Sequence, residues 1–82
     1  MKYEDFRYDL SNLIFYHDLN YKFCYDQMFY DFKDKYYNYD WFDHIRRLYS
    51  ENNNDNWIKI MNDLLKSKNN GKPIYVETIL NN

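Results

Sequence analysis

Apolar side chains recur at offsets of three, four and seven along most of the chain, which is the spacing of one face of an α-helix. The pattern predicts four helices, over residues about 3–17, 20–37, 40–51 and 55–68. The first helix has its apolar face on Tyr3, Phe6, Leu10, Leu13, Ile14 and His17. Residues 17–20 form a short polar connection, so we expect the first two helices to pack antiparallel.

The second predicted helix lies in the most aromatic part of the chain. Residues 21–42 hold eleven of the nineteen aromatic side chains, and Asn20 stands at the N-cap position. The inner face that we expect to be buried consists of Tyr21, Cys24, Tyr25, Met28, Phe32 and Tyr36, with Phe29 at its margin. Residues 21–26 also alternate with period two, so a β-hairpin over residues 13–26 is the alternative.

A second set of aromatic residues recurs every seven positions on the opposite side of this helix. Phe23, Tyr30 and Tyr37 form this set, which we call the second aromatic stripe, and Asp26, Asp34 and Lys33 flank it. A helix that is apolar on two sides is either buried between neighbours or presents one side to a partner. The sequence leaves both interpretations open: half-buried tyrosines with hydrated hydroxyls, or a binding surface.

The rest of the chain predicts two amphipathic helices and a tail. Asp40 and Asp55 stand where N-caps would, and Asn69–Gly71 marks the end of the fourth helix. The predicted core positions are Trp41, Ile45, Leu48 and Tyr49, then Trp57, Met61, Leu64 and Leu65. Residues 73–80 are rich in β-branched side chains and predict a strand, which would pair with an upstream hairpin, a second copy or a partner's sheet. A short closing helix with Pro73 at its first position is the remaining alternative.

The predicted fold is therefore mainly α: one domain over residues 1–82, with about four helices and a C-terminal strand or extended tail. The alternative is an α+β fold in which a hairpin of residues 13–26 pairs with the tail. A chain of this length buries only about 60% of its unfolded surface, so its core is small. Self-association into a dimer would add to that core.

Charge and composition narrow the function classes. The net charge is −2, with nine acids and five bases in residues 1–45 and four acids and six bases in residues 46–82. Neither half is charged strongly enough to indicate nucleic-acid mimicry or nucleic-acid binding by charge alone. A single cysteine excludes an intramolecular disulfide. We find neither a secretory signal nor an apolar run long enough to span a membrane, and expect a cytoplasmic protein.

Chemistry-bearing motifs are weak throughout. His17, Cys24 and His44 have no zinc-type spacing, and the lone glycine follows a helix instead of opening one, so no phosphate cradle is predicted. Cys24 falls on the predicted packed face, where a free thiol behaves as a small apolar side chain. We therefore expect no enzymatic activity, no metal and no cofactor.

One alternative function is a DNA-binding regulator. The third and fourth predicted helices have the order of a helix-turn-helix, and the outer face of the fourth presents amide and basic side chains to which phosphate or adenine would bind. The candidate nucleic-acid-binding residues are Arg46, Arg47, Lys59, Asn62 and Lys66. A self-associating structural or assembly protein is a second alternative.

The leading hypothesis is a small non-enzymatic module that binds a larger protein and inhibits or modulates it. Its acidic–aromatic surface would dock on a basic patch, including one that normally holds nucleic acid. The candidate partner-binding residues are Phe23, Asp26, Tyr30, Asp34, Tyr37 and Tyr39. Small size and 46 of 82 residues with AT-rich codons make the chain similar in style to accessory proteins of phages and mobile elements, including inhibitors of host defence nucleases.

Overall fold

The computed structural model describes residues 2–81, which form five helices and no strand. These are α1 (Tyr3–Asp18), α2 (Lys22–Lys35), α3 (Trp41–Glu51), α4 (Asp55–Lys68) and α5 (Val76–Leu80). The prediction of a mainly α protein is confirmed. The described residues divide into two compact units at the Asn38–Tyr39 peptide bond. We call them the N-terminal hairpin, with α1 and α2, and the C-terminal unit, with α3 to α5.

The two helices of the N-terminal hairpin pack antiparallel, as the short connection predicts. The ring of Phe6, near the start of α1, lies 5.1 Å from the rings of both Phe32 and Tyr36, near the end of α2. At the other end, the rings of His17 and Tyr25 are 5.3 Å apart. The predicted apolar face of α1 is buried at Tyr3, Phe6, Leu10, Leu13 and Ile14, whereas His17 is half-buried.

The start and the inner face of α2 differ from the prediction. Asn20 is not an N-cap; it has a φ of 61° in the connection, a left-handed conformation that asparagine tolerates. Tyr21 holds the N-cap position without a side-chain hydrogen bond. Of the predicted inner face, Phe32 and Tyr36 are buried, Tyr25, Met28 and Phe29 are half-buried, and Tyr21 and Cys24 are exposed. The buried stripe of α2 is therefore narrower than the run of apolar residue types indicates.

In the C-terminal unit, both long helices begin at a side-chain cap. The Asp40 carboxylate accepts hydrogen bonds from the amides of Phe42 and Asp43 at 3.1 and 3.5 Å, which confirms this N-cap. Asn54, not Asp55, caps α4 by accepting from the Trp57 amide at 3.1 Å. The helix ends at Lys68, as predicted. Asn70 and Gly71 follow it with φ values of 57° and 85°.

The predicted C-terminal strand and the alternative α+β fold are both wrong. Residues 76–80 are helical, and residues 13–26 lie in α1, its connection and α2. Val76 and Ile79, three positions apart, share one side of α5 and are buried, so packing of this side outweighs the β-propensity of the tail. The Val76 amide donates to Asn62 Oδ1 of α4 at 2.8 Å. The helix begins three residues after Pro73, later than the closing-helix alternative places it.

The short helix α5 packs against both longer helices of the C-terminal unit, α3 and α4. The core of this unit combines side chains from all three helices: Trp41, Ile45, Leu48, Ile60, Met61, Leu64, Leu65, Val76 and Ile79. The Lys68 ammonium lies 4.9 Å from the centre of the Trp41 ring and so connects the end of α4 with the start of α3.

Candidate interaction surface

The second aromatic stripe lies at the surface of the N-terminal hairpin. Phe23 is 85% exposed, Tyr30 is 64% exposed, and Tyr37 is 72% exposed. At about 100° per residue, Phe23 and Tyr30 stand within about 20° of each other and point away from the buried Phe32. The rings of this stripe are therefore exposed rather than half-buried among the described residues, and the hypothesis of a partner-binding role stays a prediction.

Acidic side chains alternate with the aromatic rings along this side of α2. Phe23, Asp26, Tyr30 and Asp34 follow one another at steps of three, four and four, so each is a neighbour of the next on the helix surface. Asp26 and Asp34 are exposed, and neither enters an ion pair among residues 2–81. This side of the helix combines rigid rings with carboxylates that form no ion pair within residues 2–81, and the Lys33 ammonium stands beside them, 6.0 Å from the centre of the Tyr30 ring.

Not all of the predicted partner-binding residues share this surface. Tyr37 lies in the turn that follows α2, directly after the C-cap residue Tyr36. Tyr39 belongs to the C-terminal unit, is half-buried, and packs edge-on against the His44 ring at 4.5 Å. The candidate surface therefore consists of Phe23, Asp26, Tyr30 and Asp34 on α2, with Tyr37 beyond its end.

The first helix of the hairpin carries a similar pair of exposed rings. Tyr8 and Phe15, seven positions apart, are 65% and 50% exposed and stand on the side of α1 opposite its buried residues. The sequence signal is the same heptad spacing as on α2, but the candidate site predicted from the sequence did not include them.

A shallow groove runs between α1 and α2 on the same hairpin, and sequence analysis did not predict it. It has a volume of about 170 Å³ and is lined by Asp9, Asn12, Met28, Asp31, Phe32 and Lys35. The Asp9 carboxylate accepts a hydrogen bond from the Tyr36 hydroxyl and forms an ion pair with Lys35 Nζ at 2.7 Å. Because these residues lie on two helices, they come together only through the alignment of α1 and α2 in the folded hairpin.

The candidate nucleic-acid-binding residues do not form a free basic surface. Arg46 pairs with Asp43 at 2.8 Å, Arg47 with Glu51 at 3.6 Å, and Lys59 with Asp63 at 3.2 Å. Asn62 accepts the hydrogen bond from α5, so its amide oxygen is already used within the fold. Lys66 is exposed. Exposed pairs of this kind are weak, but they neutralise charge that phosphate binding requires.

The residues considered for metal binding or nucleophilic chemistry are dispersed. Asp40 uses its carboxylate to cap α3, while His44 Nδ1 lies 3.0 Å from the Asp40 backbone oxygen, so the two side chains do not converge on one ion. Cys24 is exposed and not packed, contrary to the prediction. Residues 2–81 contain no group of three or more His, Cys, Asp or Glu side chains arranged to hold a metal ion.

The side chain of Lys68 has a clearly shifted pKa. Partial burial lowers the pKa of Lys68 below its ordinary value of 10.5, because the charged ammonium loses hydration where it lies over the Trp41 ring. This lysine belongs to the C-terminal unit and contributes to its packing rather than to the candidate surface.

Comparison of the chain with protein-family models, curated protein sequences and solved structures gave no match. Within residues 2–81, no helix combines the length and the apolar character needed to cross a lipid bilayer.

Proposed function

We propose that the protein is a non-enzymatic binding module that docks the second aromatic stripe onto a larger protein and thereby inhibits or modulates it. The observation that carries the proposal is the exposure of Phe23 and Tyr30 at heptad spacing on one side of α2, with Tyr37 also exposed beyond the end of the helix. Burying one such ring against a partner contributes about 1.5–3 kcal/mol. Aromatic side chains of this kind dominate binding hot spots.

The charge of the surface indicates the chemistry of the target. Asp26 and Asp34 alternate with the rings and have no ion-pair partner among the described residues. Carboxylates at an interface steer the encounter toward a basic patch and disfavour acidic surfaces. The target class that fits is a protein with a basic patch, such as a nucleic-acid-handling enzyme. Inhibitors of host defence encoded by phages and mobile elements would be functional examples of such a module.

The test is a pull-down from lysate of the producing or host cell with tagged protein, with and without nuclease, read by mass spectrometry. We expect one stoichiometric protein partner that survives nuclease. Phe23→Ser and Tyr30→Ser should each lose that partner. Tyr75→Ser is the matched control, because it removes an exposed ring from the C-terminal unit, and it should retain the partner.

Two results would contradict the proposal. If Phe23→Ser, Tyr30→Ser and Tyr75→Ser all retain the same partner, the stripe is not the docking surface. If the bait retains nucleic acid, and loses it with Lys59→Ala and Lys66→Ala, the outer side of α4 is the functional surface instead. Folding of each variant is checked by far-UV circular dichroism before binding is compared.

A further inference from the structure

The volume of the groove between α1 and α2 indicates what kind of group it can hold. Its volume is about 170 Å³. Pockets for drug-sized ligands and cofactors measure about 300–1,000 Å³. An apolar cavity of about 150 Å³ takes up a single benzene molecule. The groove can therefore take up one side chain of a partner.

The chemistry of the lining is divided between an apolar and an acidic part. Met28 is half-buried and Phe32 is buried, so the aliphatic stem of an entering side chain has an apolar surface to lie on. Asp31 accepts a hydrogen bond from Gln27 Nε2 on Oδ1 at 3.1 Å, which leaves lone pairs for a second donor. Asn12 also lines the groove, and its side-chain amide can accept a hydrogen bond through its oxygen.

The balance of charge favours a cation. Asp9 and Lys35 neutralise each other at 2.7 Å, so the carboxylate of Asp31 is the charge left over in the groove. Lys35 is about half exposed, with a side-chain exposure of 47%, and can turn into solvent when another cation approaches. An acidic side chain entering the groove would meet Asp31 and Asp9 without a free cation among the lining residues.

We propose that the groove binds an arginine side chain presented by a basic segment of the partner. The stem of the arginine lies along Met28 and Phe32, and the guanidinium donates to Asp31 and to the oxygen of Asn12. Arginine suits the site better than lysine because its planar fork makes several hydrogen bonds at once. The inference rests on the proposed function, because it names the chemistry of the partner that docks on the hairpin.

The test uses N-acetyl-arginine methylamide as the probe and the methyl signal of Met28 in ¹H–¹³C NMR as the reporter. We expect a saturable shift of the Met28 methyl at millimolar probe concentrations. Met61 is fully buried in the C-terminal unit, so its methyl is an internal control that should not respond. The citrulline analogue has the same shape without the charge, and we expect it to bind at least about fivefold more weakly.

Variants separate this inference from the proposed function. Asp31→Asn should weaken arginine binding by about fivefold, as expected for loss of one partly exposed ion pair. Gln27→Ala, which removes only the neighbour of Asp31, should retain binding, and so should Tyr30→Ser on the outer side of α2. Equal responses to the arginine and citrulline probes, no saturable shift, or no effect of Asp31→Asn would overturn the inference. In that case a partner lost with Tyr30→Ser in the pull-down would still support the docking surface.

Discussion

The N-terminal hairpin and the C-terminal unit both bury apolar side chains, but they differ in how many large apolar side chains they leave exposed. Nine large apolar side chains of the described chain are exposed, and seven of them belong to the hairpin. The two in the C-terminal unit are Phe42 and Tyr75. Residues 1–38 carry seven acids and five bases, whereas residues 39–82 carry six of each. The hairpin thus combines excess negative charge with apolar surface that its own packing does not use.

The starts of α2, α3 and α4 show the same contrast. In the C-terminal unit, Asp40 and Asn54 accept hydrogen bonds from the first free amides of α3 and α4. In the hairpin, α2 begins at Tyr21, whose side chain makes no such bond. In the C-terminal unit, the capping residues and the spacing of the apolar residues favour the same helices. Such agreement stabilises a small domain. In the hairpin, the N-cap position of α2 and the side of that helix facing away from the core carry exposed rings instead.

The largest expected effect is the difference in folding stability between removing a buried ring from the C-terminal unit and removing an exposed ring from the hairpin. Trp41→Ala should lower the free energy of unfolding by about 3–5 kcal/mol, because it empties a fully buried position. Phe23→Ala should change it by less than about 0.5 kcal/mol, because the ring is already in water. Urea denaturation followed by far-UV circular dichroism measures both. Similar losses for the two variants would mean that the second aromatic stripe is part of the core.

A smaller loss is expected when the link between α4 and α5 is broken. Asn62→Ala leaves the Val76 amide without its acceptor, which should cost about 1–3 kcal/mol. Asn62→Asp is the control, since it keeps an oxygen at that position and should retain most of the stability. Both tryptophans, Trp41 and Trp57, lie in this unit, so their fluorescence during urea unfolding reports the effect where it occurs. An unchanged midpoint for Asn62→Ala would show that the hydrogen bond contributes little.

Substitutions at the N-cap positions are expected to change folding stability in opposite directions in the two regions. Asp40→Ala and Asn54→Ala should each lower stability by about 1 kcal/mol, because each removes the acceptor for free helix amides. Tyr21→Ser should instead raise stability by up to about 1 kcal/mol, because it supplies a cap that α2 lacks. Thermal unfolding of the three variants beside the unsubstituted chain tests the sign of each change. Destabilisation by Tyr21→Ser would mean that the tyrosine ring contributes more than a cap.

The smallest effect concerns the pH dependence of stability. Because partial burial lowers the pKa of Lys68 in the folded state, the unfolded chain binds more protons between that lowered pKa and 10.5. Stability contributed by this site therefore rises with pH across that window. Lys68→Met should remove the rise. The difference between the two proteins is measured by urea unfolding from pH 8 to 11, so that tyrosine ionisation common to both cancels. A difference that does not change with pH would contradict the assignment.

Much of the helical architecture could be predicted from the sequence, because apolar residues recur with clear helical spacing where a helix buries one side only. The buried side of α1, the cap at Asp40 and the helix stop at Asn69–Gly71 all agree with their local patterns. The tail differs because β-propensity reflects fit to a sheet, and no sheet forms within residues 2–81. Val76 and Ile79 are instead placed by contacts with α3 and α4, which are remote in sequence.

The candidate site was predictable only in part. Heptad spacing identified Phe23 and Tyr30 as a separate side of α2, but spacing alone does not distinguish an exposed side from a second buried one. Helical spacing places Cys24 and Tyr21 on the inner face of α2, but Cys24 is exposed, and Tyr21 is the exposed N-cap residue at the start of the helix. The groove beside Asp31 depends on the register between α1 and α2, which a single sequence does not specify.

The position of α5 in the chain sets an order of events during synthesis. Helices α3 and α4 are made first, and the buried residues Val76 and Ile79 follow at least eight residues after α4 has ended. At about 5–20 residues per second, the ribosome takes roughly 0.6–2.4 seconds to add the residues from the end of α4 to the end of α5. Until they are added, the apolar sides of α3 and α4 lack their closing helix. Both helices of the hairpin have been synthesised before this interval begins, so the packing of α1 against α2 does not wait for α5.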